Sequence, residues 1–156
     1  MANIEYLCDH PEFTGIAARW LYDAFVHKNM PDFAFDDFHS FFSNCCNDTL
    51  PIRLVAVSDG ICVGTVSIVD NDLSTRNYTP WLGGLYVDAS HRNTGIGQKL
   101  IERVKQIVKD MNYSEVYLTT TTAGPYYQKL GWQLIEMCND GYGKTVEVYK
   151  YKIINP

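Results

Sequence analysis

The sequence predicts an α/β protein with a mixed central sheet and helices on both faces. Three observations predict it: two Val- and Ile-rich segments that meet at Asp59-Gly60, a long amphipathic helical pattern over 97–111, and strand patterns at 81–88 and 115–120 that flank this helix. Strands joined through a helix run parallel in one sheet, and strands joined by a two-residue turn run antiparallel, so the sheet is mixed.

The elements follow in order. Ile4 to Cys8 alternates apolar and polar residues as a short strand, and Phe13, Ile16, Ala17, Trp20, Leu21 and Ala24 then share one face of a helix that ends at Pro31. A second helix near Asp36 to Cys46 carries Phe38, Phe41 and Phe42 and closes before Pro51. Ile52 to Ser58 and Ile61 to Asp70 form a hairpin, because Asp-Gly readily takes the two positive φ angles of a type I′ turn. A polar loop leads to Pro80. Trp81 to Asp88 is a buried strand interrupted by Gly83-Gly84, and glycines inside a strand mark a bulge or the close approach of another backbone or a ligand.

From Gly97 to Met111, Leu100, Ile101, Val104, Ile107, Val108 and Met111 repeat at helical spacing, with Glu102, Arg103, Lys105 and Lys109 opposite. A strand (Glu115 to Thr120), a short helix (Pro125 to Leu130) and two strands (Trp132 to Met137, Lys144 to Lys152) around Asn139-Asp140-Gly141 complete the chain. The order is β-α-α-β-β-β-α-β-α-β-β.

No repeat or Pro/Gly/Ser-rich linker interrupts the 156 residues, so one domain over 1–156 is expected. A net charge of −5 with no Lys/Arg cluster excludes a nucleic-acid binder, whose affinity comes from neutralising phosphates. No stretch approaches the roughly 20 apolar residues of a membrane span, and Met1 to Glu5 lacks a basic leader, so a cytoplasmic protein without membrane partners is expected. Five scattered cysteines and four histidines show no ligand spacing, which predicts no metal; adjacent Cys45 and Cys46 are read as helix residues.

The chemistry concentrates at His91-Arg92-Asn93-Thr94-Gly95-Ile96-Gly97-Gln98, where the chain leaves a strand and starts the long helix. Glycines let this backbone turn several N–H groups toward one point. With the positive end of the helix and the charge of Arg92, they make a phosphate cradle. Leu100 stands where a dinucleotide-binding G-x-G-x-x-G needs glycine, and a P-loop Gly-Lys-Ser/Thr is absent.

Arg92-x-x-Gly95-x-Gly97 after a strand ending Leu85-Tyr86-Val87-Asp88 resembles the Gln/Arg-x-x-Gly-x-Gly/Ala signature of the GCN5-related N-acetyltransferases (GNAT). Tyr127-Gln128-Lys129-Leu130-Gly131-Trp132 is similar to the Tyr-x-x-x-Gly-Phe frequent in that family, and the order of elements matches throughout. The resemblance implies the acyl-CoA N-acyltransferase fold with acetyl-CoA or coenzyme A as cosubstrate. It implies that Arg92, Asn93, Thr94, Gly95, Ile96, Gly97 and Gln98 hold the pyrophosphate. It also implies a bulged strand whose residues Leu85, Tyr86 and Val87 offer backbone groups to the pantetheine and the acyl carbonyl. The activity implied is acetyl transfer, by direct attack in a ternary complex, to a primary amine of a small molecule or peptide, by a monomer or homodimer.

Such a reaction needs a neutral amine, a stabilised oxyanion and a proton for the departing thiolate. The resemblance assigns that proton to Tyr127; the competing reading is a core aromatic among eleven tyrosines. Tyr126 is packing or substrate wall. Many relatives place a glutamate on the strand corresponding to 81–88, where this chain has Gly83, Gly84 and the terminal Asp88, so the general base is unassigned. Asp70 and Asp72 are the acids nearest in the expected sheet and are read as solvated loop acids; His91 is read as an exposed loop residue. The irregular segment 29–37 is the candidate lining of the acceptor cleft. The missing glutamate also supports an alternative, a coenzyme A-binding module without turnover.

Overall fold

In the computed structural model, which describes residues 1–153, the chain forms one seven-stranded mixed sheet with helices, the architecture that the sequence predicts. Residues 154–156 of the expected domain lie outside the described residues. The elements are β1 (Asn3–Tyr6), α1 (Thr14–Leu21), α2 (His27–Asn29), α3 (Phe35–Phe42), β2 (Ile52–Ser58), β3 (Ile61–Val69), β4 (Trp81–Val87), α4 (Ile96–Asp110), β5 (Glu115–Thr120), α5 (Gly124–Lys129), β6 (Gln133–Asn139) and β7 (Thr145–Lys152). The strands follow the order β1-β2-β3-β4-β5-β7-β6. β4 and β5 run parallel, with Trp81 opposite Tyr117, while β1 with β2, β5 with β7 and β6 with β7 are antiparallel. Asp59 and Gly60 take φ of 51° and 80°, as the turn between β2 and β3 requires. No helix among the described residues is long and apolar enough to cross a membrane.

The chain divides into two compact units, Met1–Ser67 with Gly84–Arg103, and Ile68–Gly83 with Val104 onward. In the first, Ala17, Ala18 and Leu21 of α1 and Phe38 and Phe42 of α3 bury themselves with Val55 and Cys62. The expected apolar face of α1 is rotated. Ala17 and Ala18 are fully buried, and their small side chains let the helix approach closely, which turns Ile16 outward to 45% exposure. Beyond Leu21 the helix passes through a π turn, Tyr22–Val26, before α2.

Two further expectations are corrected here. The first strand stops at Tyr6, because Leu7–Asp9 winds into a 3-10 turn that buries Leu7. The second helix stops at Phe42, so Cys45 and Cys46 are loop residues. The Phe42 carbonyl accepts from Arg53 Nε at 2.7 Å and the His39 carbonyl from Ser43 Oγ at 2.7 Å, so side-chain donors terminate α3. Cys45 Sγ then lies 2.8 Å from Cys8 Sγ.

In the second unit Leu73, Trp81, Val146 and Val148 form the core, and the rings of Tyr78 and Tyr117 stack at 4.8 Å beside it. Leu73 belongs to the connection between β3 and β4, so this loop is anchored in the core.

Candidate functional site

The first unit brings Leu85, Tyr86 and Val87 of β4 and the cradle residues 92–98 together along one stretch of chain. Gly84 opens that stretch with φ +59°, and a Cβ there would stand 3.1 Å from Leu21 Cδ1. The bulge expected at Gly83-Gly84 is therefore a kink at Gly84 that a side chain would strain. After β4 the Asp88 amide donates to the Val63 carbonyl at 2.9 Å, and Ala89–His91 makes a 3-10 turn. His91 is not a free loop residue: its Nδ1 lies 2.9 Å from Asp88 Oδ2, which also accepts from Ser90 Oγ at 2.7 Å. The Ser90 hydroxyl, then His91, holds the Asp88 carboxyl below its ordinary pKa.

This pinned turn delivers the cradle. Arg92 donates Nε to the Val87 carbonyl at 2.9 Å, and its guanidinium lies 5.1 Å from the centre of the Tyr86 ring, so its charge is held in place. Thr94 Oγ1 donates to the His91 carbonyl at 2.5 Å. Asn93 and Gly95 are left-handed, with φ of 63° and 85°, and the first amides of α4 have no helical partners. Left-handed residues just before a helix N-terminus form a concave row of N–H donors, a ready site for a phosphate. A Cβ on Gly95 would meet nothing within 4 Å, so the cradle is open above this residue and needs glycine for its backbone conformation alone. Asn93, Thr94, Gly95 and Gln98 are exposed, Gly97 is half-buried, and Ile96 anchors the loop in the interior. These donors fit a pyrophosphate.

Tyr127 belongs to the second unit, on α5. Ala123 N donates to Thr120 Oγ1 at 2.9 Å ahead of the helix, and the helix closes with Gly131 at φ +93°. Trp132 N donates to the Tyr127 carbonyl at 3.1 Å and Gly131 N to the Gln128 carbonyl at 3.1 Å, the paired bonds of a Schellman close. That close folds Trp132 back onto Tyr127, ring centres 5.9 Å apart. Tyr127 is 7% exposed, and among the described residues no hydrogen bond engages its hydroxyl. Burial pushes this phenol up to about 12, with the neighbouring Tyr126 adding to the effect. The segment 29–37 packs against its own helices, with the Tyr22 hydroxyl donating to the Phe33 carbonyl and the Arg19 guanidinium 3.7 Å from the centre of the Phe35 ring.

Both loop acids read as solvated are exposed. Asp70 is exposed and accepts from Thr79 Oγ1 at 3.0 Å. Asp72 is exposed as well, and the protein atoms around its carboxylate shift its pKa upward. Its carboxylate oxygens lie 3.5 and 3.6 Å from where a Cβ on Gly83 would stand. The sequence signal was a glycine facing an acid that precedes a core leucine, and no linear pattern pairs positions 72 and 83.

Residues 16–132 match the model of the acetyltransferase (GNAT) family. The human N-acetyltransferase 8 is 37% identical over 84 residues, covering 51% of this chain and 37% of its own length, and the mouse N-acetyltransferase 8B is 30% identical over 103 residues, covering 54% and 44%. The chain thus matches less than half the length of these curated relatives. Among solved structures, an aminoglycoside 6′-N-acetyltransferase complexed with coenzyme A superposes with a TM-score of 0.78 at 16% identity, covering 99% of this chain and 98% of that one. A putative acetyltransferase from Salmonella typhimurium with acetyl-CoA gives 0.70 at 15% identity, covering 100% and 96%. A GNAT-family acetyltransferase from Staphylococcus aureus gives 0.72 at 21%, covering 99% and 100%.

Proposed function

This chain belongs to the acetyltransferase (GNAT) family, and from that membership we propose that it transfers an acetyl group from acetyl-CoA to a primary amine of a small molecule or peptide by direct attack in a ternary complex. The observation that carries the reading is the cradle. A fixed Arg92, two left-handed residues and the amide row of α4 lie along one turn, an arrangement that suits a pyrophosphate. Residues 92–98 would hold that pyrophosphate, and the backbone of Leu85, Tyr86 and Val87 would receive the pantetheine amides and the thioester carbonyl. Oriented N–H donors at that carbonyl stabilise the oxyanion as it forms. Tyr127, a phenol that stays protonated at pH 7, would give the departing sulfur its proton.

Thermal unfolding with acetyl-CoA, CoA, ATP and NAD added separately tests the reading. A ligand at 100 times its dissociation constant stabilises by about 2.7 kcal/mol, a rise of roughly 5–10 °C for a chain of this length. The expected result is a rise with the two CoA compounds alone. In Gly95→Asp, whose carboxylate opposes the phosphate, the rise disappears, whereas Gly95→Ala, with the same backbone strain and no charge, keeps most of it. Equal rises with all four compounds, or none, would overturn the proposal. An amine screen with acetyl-CoA follows, and a chain that binds CoA but acetylates no amine is the binding module instead.

A further inference from the structure

We propose that Cys8 and Cys45 form a reactive dithiol, a site at which a low-molecular-weight disulfide oxidises the chain to a reversible Cys8–Cys45 bridge. Cys8 lies in the 3-10 turn Leu7–Asp9 that follows β1, and Cys45 lies in the loop between α3 and β2, 37 residues further on. Their sulfurs stand 2.8 Å apart, closer than two thiols approach without a hydrogen bond or a covalent bond between them, and Cys8 Sγ donates to the Cys45 carbonyl at 2.7 Å. Joining them requires only a small adjustment of the side chains.

Both segments are held where they meet. Asp9, next to Cys8, accepts from Asn47 Nδ2 at 3.0 Å, and Cys46 N donates to the Pro51 carbonyl at 3.0 Å. The turn that carries Cys8 is closed by His10 N on the Leu7 carbonyl at 2.9 Å and anchored by the buried Leu7. Packing does not account for the pair. A cysteine kept as a small apolar residue is buried, as Cys62 is in the core of this unit, whereas Cys8 is exposed and Cys45 half-buried. The exposure of Cys8 gives a small disulfide access to the first sulfur and keeps the bridge open to reduction.

A buried cation acts on the second sulfur. Arg53 is 3% exposed, its Nη2 lacks a hydrogen-bond partner among the described residues, and Cys45 is the ionisable neighbour that acts on it. Burial, then the Cys8 sulfur, pushes the Cys45 thiol up to about 12, and Arg53 opposes them. The influence of Cys8 disappears once that sulfur is capped, while the charge of Arg53 stays, so capping Cys8 prepares Cys45 to attack. The resulting bridge closes the span that carries α1, α2 and α3.

The atoms and electrons balance over two exchanges. The Cys8 thiol loses its proton and its sulfur attacks the small disulfide, whose S–S bond breaks; one thiolate leaves and takes up a proton. Cys45 then loses its proton and its sulfur attacks Cys8 Sγ, so the mixed disulfide breaks and the second thiolate leaves and is protonated. Two protein thiols are oxidised, one small disulfide is reduced to two thiols, and an excess of the small thiol runs the sequence backwards.

The test incubates the full chain with oxidised glutathione, blocks the remaining thiols with N-ethylmaleimide under denaturing conditions, and reads the intact mass and the peptide map. The expected result is a chain that takes up two fewer N-ethylmaleimide groups than the reduced protein, a linked Cys8–Cys45 peptide, an unfolding temperature higher by roughly 5–10 °C, and full return to the reduced form with dithiothreitol. Cys46→Ser behaves as wild type, whereas Cys45→Ser stops with one glutathione on Cys8. A chain that keeps all five thiols, that stops at mixed disulfides, or that links Cys46 in place of Cys45 overturns the proposal.

Discussion

A buried tyrosine hydroxyl ordinarily finds a hydrogen-bond acceptor, and this chain shows the rule several times. Tyr22 donates to the Phe33 carbonyl, Tyr78 to Glu136, Tyr117 to Glu115 and Tyr149 to Glu147. Tyr127 on α5 differs: its side chain is buried, but its hydroxyl makes no hydrogen bond among the described residues and its oxygen reaches solvent. A phenol pushed up to about 12 by burial is a weak acid, but a thiolate emerging in the same desolvated surroundings is a stronger base than it is in water, so the two remain matched. Tyr127→Phe is accordingly expected to lower kcat about 100-fold, to leave the CoA-dependent rise in unfolding temperature intact, and to change stability by less than about 1 kcal/mol, since no bond is lost. Steady-state kinetics beside thermal unfolding checks it, and an unchanged kcat would leave Tyr127 only the task of closing a helix. That task is real. The four-residue spacing from Tyr127 to Gly131, which the sequence reading took as a sign of catalysis, is the spacing of the Schellman close. The pattern found the residue, while the reason to single it out is its solitary hydroxyl, which no linear pattern displays.

At the scale of elements, the connection between β3 and β4 is better ordered than its polar sequence suggests. Glu136 on β6 takes two donors from Arg76 and one from Tyr78, and Arg76 first, then Tyr78, holds its carboxyl down at about 2. A carboxyl with a depressed folded-state pKa contributes stability that is present above its ordinary value near 4.3 and is lost as the pH falls toward 2. Glu136→Gln should therefore unfold at a lower temperature than wild type at pH 7, with the gap closing at pH 2–3; a gap that is constant with pH would mean that the Arg76 clamp contributes no charge interaction. The contact joins residues 60 positions apart, so the sequence showed only a polar loop. The β2–β3 hairpin and α4 were legible because their signals are local: one turn dipeptide and one period of 3.6. The end of α3 was not, because its stop depends on Arg53, eleven residues downstream of Phe42.

For the molecule as a whole, what lies along the chain is legible in the sequence, and what lies across it is not. The residues matched to the phosphate signature occupy one continuous turn, whereas Asp72 and Gly83 come together only in the folded chain. That fold has a thermodynamic signature. Burial raises the Asp72 pKa, so its neutral form suits the native state. A group of this kind contributes stability that is present below its unfolded value near 3.9 and is lost as the pH rises through about 7. At pH 8 the native chain holds this carboxyl in its charged form. Asp72→Asn removes that charge at nearly constant shape and, because solvent screens an exposed charge, is expected to unfold at most roughly 2 °C above wild type at pH 8, while the two converge near pH 4. Scanning both proteins across pH 4 to 8 checks this, and equal unfolding temperatures at pH 8 would mean that water reaches the carboxylate freely.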